Sequence, residues 1–165
     1  MQGNRPVGRR FSGKWLWGLA PVLLLLGAFF VLALRRAWLS DDAYITFRTV
    51  DNLVHGYRLT WNVTERVQAY THPLWMFLVS LFYFFTHEIY HTAIAVSLGL
   101  SLAAVALLAV GTRSRRAAAV AVFLLCLSNA YVDYSTSGLE NPLTHLLLVA
   151  FLLLYFGQPS SSGKL

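Results

Sequence analysis

The sequence predicts an all-α integral membrane protein with about four transmembrane helices, plus amphipathic interfacial helices in a long first outer loop. Three observations predict it. Of the 165 residues, 57% are apolar and only 12% are charged, roughly half the charged share of a soluble domain. Several charge-free runs approach the thickness of a hydrocarbon core. The charges also sort, with bases flanking the runs and all seven acids able to share one side. The net charge of +6 does not describe a nucleic-acid binder, because the basic residues form no single patch. The one cysteine, Cys126, can form no intramolecular disulfide.

Residues 1–14 form a basic segment with Arg5, Arg9, Arg10 and Lys14, which marks it as cytoplasmic. Trp15 to Leu34 then runs without a charge and reaches roughly 30 Å as a helix. It is longer than the apolar core of a cleaved signal peptide, and Arg35-Arg36-Ala37 is a poor cleavage site. An outer loop follows over 35–91. In it Ser40 and Asp41 suit a helix start and Gly56 a helix stop. Ala43, Phe47, Val50, Leu53 and Val54 fall near one helical face. Arg48, Asp51, Asn52 and His55 fall on the other. That pattern suits a helix lying on the membrane surface. Tyr57, Trp61, Tyr70 and Trp75 suit the interfacial aromatic belt.

Leu74 to Phe85 is apolar but reaches only about 18 Å, which suits an interfacial or re-entrant helix. Thr92 to Val110 is the second span, Ala117 to Val132 the third and Leu143 to Phe156 the fourth. Charge decides the role of Leu74–Phe85. If it does not span, Arg113, Arg115 and Arg116 join the N-terminus in the cytoplasm. Every acid then lies outside: Asp41, Asp42, Asp51, Glu65, Glu88, Asp133 and Glu140. Arg35 and Arg36 fall on the unfavoured side. A second outer loop covers 133–142, and 157–165 reads as a flexible tail. The protein is thus expected to be multi-pass in the cell's inner (plasma) membrane, with its acidic face extracytoplasmic.

Adjacent acids Asp41 and Asp42 open the outer-loop helix. Their plainer role is capping, since the macrodipole favours an acid there. The chemical role is a carboxylate that deprotonates an acceptor hydroxyl or holds a divalent cation. Asp133 and Glu140 lie in the second outer loop, which the topology turns toward the first. Solvation or a substrate contact are the two readings for them. His72, before Pro73, is either packing or chemistry. His87-Glu88-Ile89-Tyr90-His91 matches H-E-x-x-H, the pattern of a zinc metalloprotease helix. It would need a third ligand, for which Asp133, Glu140 or another histidine are the candidates.

Longer stretches carry a resemblance. They are Asp41-Asp42-Ala43-Tyr44-Ile45-Thr46-Phe47-Arg48, Asn52-Leu53, His55-Gly56 and Leu59-Thr60-Trp61-Asn62. They continue through Glu65-Arg66-Val67-Gln68, Tyr70-Thr71-His72-Pro73-Leu74-Trp75 and Ser135-Thr136-Ser137-Gly138-Leu139-Glu140-Asn141-Pro142. Together they resemble the GT-C membrane glycosyltransferases, in the arabinofuranosyltransferase-like branch, over most of residues 38–156. The resemblance implies a sugar, arabinofuranose, carried by a polyprenyl-phosphate donor and transferred with inversion to an extracytoplasmic hydroxyl of a glycan or protein. It places the catalytic acid at Asp41 or Asp42. It places substrate contacts at Tyr44, Arg48, Arg58, His72 and Glu140, with the donor phosphate falling to Arg48, Arg58 or His72. Val63-Thr64 and Ala69 depart from the turn-forming Pro-Gly and Gly expected there. Such enzymes also have more spans and often a C-terminal outer domain. The chain therefore reads as the N-terminal part of one, completed by a C-terminal half or a partner subunit. Its rivals are the zinc protease and a non-catalytic membrane subunit.

Overall fold

A computed structural model describes residues 14–65 and 67–157, with side chains from residue 19 onward. The expected basic N-terminus and flexible tail fall largely outside the described residues. Those residues form seven helices and no strand. The helices are α1 (Lys14–Arg35), α2 (Asp41–Val54), α3 (Pro73–Thr86), α4 (Ile89–Gly111), α5 (Arg115–Leu127), α6 (Asn129–Asp133) and α7 (Asn141–Gly157).

Among the described residues α4 is the one helix long and apolar enough to cross a membrane alone, with 23 residues. Leu19–Arg35, Pro73–Thr86 and Asn141–Phe156 are shorter apolar helices. The expected continuous third span over 117–132 is instead two helices. Ser128 closes α5 and caps α6, its Oγ accepting from the Tyr131 N–H at 3.3 Å. A serine hydroxyl competes for backbone donors and so favours a cap over a helix interior.

The apolar face expected for α2 is present, but α3 covers it. Ala43, Phe47 and Val50 are buried with Trp75, Met76, Val79 and Tyr83 of α3 and Ala93 of α4. Each large side chain so buried contributes about 1.5–3 kcal/mol. A second cluster joins Phe29 of α1, Leu98 and Val105 of α4, Val122 of α5 and Val132 of α6.

Contacts fix the sense of the helices. Leu25 meets Cys126, and Arg36 meets Asn129 and Asp133, so α1 and α5–α6 run the same way. The short link Thr112–Ser114 turns α5 back along α4. Hence α1 and α4 are antiparallel. Ser101 of α4 meets Ser135, just before α7, and Gly111 packs on Leu153. So α4 and α7 run together. The chain from Arg36 to Glu88, α3 included, therefore leaves and returns at one end of the bundle.

Candidate functional site

Asp41 and Asp42 occupy the first turn of α2, both exposed. Among the described residues neither carboxylate has a hydrogen bond or ion pair. Ser40 sits at the cap position, yet its side chain caps nothing. Its backbone N–H instead donates to the Ser137 carbonyl at 2.8 Å.

That bond belongs to a clamp. Ser135, Thr136 and Ser137 are fully buried. Ser101 Oγ donates to the Ser135 carbonyl at 3.1 Å. Trp75 Nε1 donates to the Gly138 carbonyl at 2.9 Å, and Trp38 Nε1 to the Asp133 carbonyl at 2.9 Å. Gly138 has φ +77, and a Cβ there would lie within 3.0 Å of Leu39, Ala43 and Phe47. Only glycine satisfies both the backbone and the space. The loop over 134–140 thus holds the start of α2 against the start of α3.

His72 Nε2 lies 2.9 Å from Glu140 Oε1. Residues 133–142 therefore meet the 35–91 segment, at Trp38, Ser40, His72 and Trp75. Asp133, the other acid of that loop, pairs with Arg36 at 3.4 Å.

Asp41, Tyr44 and Arg48 stand at i, i+3 and i+7, an exposed stripe of α2. Tyr44 packs edge-on against Phe47. The Arg48 guanidinium lies 4.8 Å over the Trp61 ring, and Nε donates to the Trp61 carbonyl at 3.0 Å. With Asn52, whose Nδ2 donates to the Thr60 carbonyl at 2.7 Å, it folds residues 57–62 onto α2. Arg58 is exposed, has φ 80, and has no partner among the described residues. It borders a groove of about 410 Å³ with Val67 and Gln68.

The H-E-x-x-H stretch does not form one helix. His87 closes α3 in a left-handed conformation (φ 51) and Glu88 caps α4. Glu88 accepts from the N–H groups of Tyr90 at 3.0 Å and His91 at 2.8 Å. Desolvation pushes its carboxyl up, but those hydrogen bonds from His91 and Tyr90 outweigh it and hold it below the ordinary glutamate value. A zincin needs both imidazoles one turn apart on a continuous helix, so the expected protease arrangement is absent here. Among the described residues no three His, Cys, Asp or Glu side chains gather closely enough to hold a metal ion.

Two features were missed by sequence reasoning. One is the clamp, whose signals were Gly138 beside a serine run and two tryptophans needing N–H acceptors. The other is Tyr83, whose hydroxyl donates to Asp51 Oδ1 at 2.6 Å. That hydrogen bond, with burial added, pushes the Tyr83 hydroxyl up to about 12.

No protein-family model and no solved structure matches the chain. Two curated relatives do. The chain is 33% identical over 140 residues to a terminal beta-(1->2)-arabinofuranosyltransferase of Mycobacterium tuberculosis, covering 76% of the chain and 22% of the relative. It is 34% identical over 140 residues to the protein of the same name from Corynebacterium glutamicum, covering 78% of the chain and 20% of the relative. The chain spans about a fifth of the length of these relatives. Over some three quarters of its own length, then, it is related to arabinofuranosyltransferases.

Proposed function

We propose that this chain is the part of a GT-C-type membrane glycosyltransferase that carries the first outer loop and its acidic site. Arabinofuranose passes from a polyprenyl-phosphate donor to a hydroxyl of a glycan or protein outside the plasma membrane. The acceptor oxygen attacks the anomeric carbon, and the bond from that carbon to the phosphate oxygen breaks with inversion. Polyprenyl phosphate leaves, and the hydroxyl proton passes to Asp41 or Asp42.

The observation that carries this reading is the mounting of the two carboxylates. They are exposed and free of partners among the described residues, on a helix pinned by a buried loop. A base must be unencumbered yet rigidly placed. His72, beside Glu140, and the guanidinium of Arg58 supply hydrogen-bond donors for the donor phosphate. Tyr44 and Arg48 extend the stripe that starts at Asp41. A divalent cation on the aspartate pair would complete its shell with water and substrate oxygens.

The test uses membranes carrying the complete enzyme of which this chain is a part, a radiolabelled polyprenyl-phosphate arabinofuranose and a synthetic arabinoside acceptor. Asp41→Asn and Asp42→Asn are each measured, and the double variant as well. Loss of the catalytic base lowers kcat by about 10²–10⁴ without changing membrane insertion. Undiminished transfer by the double variant sinks the proposal.

A further inference from the structure

Positive charge gathers at the end of the bundle away from the candidate site. Arg113 lies in the link between α4 and α5, and Arg115 and Arg116 open α5. All three are exposed. Arg115 is engaged, whereas Arg113 and Arg116 have no hydrogen bond or ion pair among the described residues. The acids stand at the other end. Asp41, Asp42, Asp51 and Glu65 belong to the 36–88 segment, Glu88 opens α4, Asp133 pairs with Arg36, and Glu140 precedes α7. The length of α4 alone sets about 35 Å between that end and the arginines. Below the arginines α5 leaves one face uncovered. Arg116, Val120, Phe123, Leu124 and Leu127 stand at i, i+4, i+7, i+8 and i+11 and so share it. The four apolar members are exposed at 57%, 50%, 59% and 63%. Ala118 and Val122, on the opposite side of the helix, are buried. From Arg116 to Leu127 the stripe runs about 17 Å, close to the roughly 15 Å of hydrocarbon in one leaflet.

We propose that this face of α5 binds an anionic phospholipid, its phosphate held by Arg113 and Arg116 and its acyl chains laid along Val120 to Leu127. An amphiphile satisfies both halves of the surface. An acidic peptide in water would pair with the guanidinium groups and leave the apolar stripe bare. An apolar helix would cover the stripe and leave the charges without a counter-ion. A phosphodiester accepts paired hydrogen bonds from a guanidinium fork. A zwitterionic lipid brings its own ammonium to the same place and so competes poorly for two unpaired cations. Basic residues set beside lipid-facing apolar surface are the general form of anionic headgroup recognition. The surface is remote from Asp41 and Asp42 and does not depend on the glycosyltransferase reading. It requires only that the chain lie in a bilayer.

The experiment is site-specific photocrosslinking in phosphatidylcholine vesicles containing a minor share of tritiated phosphatidylglycerol. The complete protein carries p-benzoyl-phenylalanine in place of Phe123 or, as a control, of Phe151. Phe151 is exposed at 60% on α7, with no arginine on its own helix. Position 123 is expected to capture phosphatidylglycerol about tenfold above its share of the vesicle lipid, since each arginine at a charged headgroup contributes about fivefold. Position 151 captures it in proportion. Arg113→Gln with Arg116→Gln removes the excess at 123, whereas Arg113→Lys with Arg116→Lys keeps most of it. Capture at 123 in proportion to bulk lipid overturns the proposal. So does an equal excess at 151, an excess that the glutamine pair leaves unchanged, or capture of a polypeptide in place of lipid.

Discussion

At the scale of single residues, Gly138 sits where the 134–140 loop and α2 touch. Its left-handed backbone and the contacts a Cβ would make with Leu39, Ala43 and Phe47 let loop and helix approach closely. Gly138→Ala is expected to destabilise the protein by about 1–3 kcal/mol, read as a lower Tm in detergent. Adding Ala43→Gly, which removes the Cβ nearest the intruding methyl, should restore part of the loss. Tyr83 gives a pH-dependent test. Its raised hydroxyl means that the stabilisation is complete below pH 10 and is lost as pH climbs toward about 12. Tyr83→Phe should therefore lower stability by about 1 kcal/mol at neutral pH. The gap to wild type should close in alkali, and a gap that is constant to pH 12 would refute the Asp51 bond as its source.

At the scale of elements, two helices depend on side chains that pattern alone read differently. The run His87–His91 matches a metal motif, yet a helix boundary falls inside it. Glu88 is engaged by the first free N–H groups of α4, a use that four orphan donors at any helix start invite. Glu88→Gln should speed amide exchange at Tyr90 and His91, measured by mass spectrometry. In the wild type the same fraying should appear as pH falls through the lowered carboxyl value, and the cap should be intact above the ordinary glutamate range. Unchanged exchange in the variant would mean that the cap contributes nothing. Likewise α2 has the amphipathic period of a surface helix, but α3 supplies the apolar partner. Periodicity reports that a face must be covered and is silent on what covers it.

At the scale of the whole molecule, the helix senses make a topological statement. Because α1 and α4 are antiparallel, residues 36–88 begin and end at the same end of the bundle. Single cysteines test the orientation, in a Cys126→Ser background with a membrane-impermeant thiol reagent. Thr71→Cys should label in intact cells, and Ser114→Cys only after permeabilisation. Labelling of both in intact cells would void the proposed sidedness.

Much of this was legible in the chain itself. The apolar runs and the helix periods are enough to give an all-helical architecture and the existence of α1 to α4 and α7, because hydrophobic period acts locally. The motif stretches from Asp41 to Pro142 also point to sugar transfer. What only the tertiary structure decided is how distant segments meet. The clamp joins Ser40, Trp75 and Ser101 to residues 135–138, and His72 to Glu140. Such contacts depend on three-dimensional packing of buried backbone carbonyls, each of which must find a donor, and no local pattern records which donor that will be.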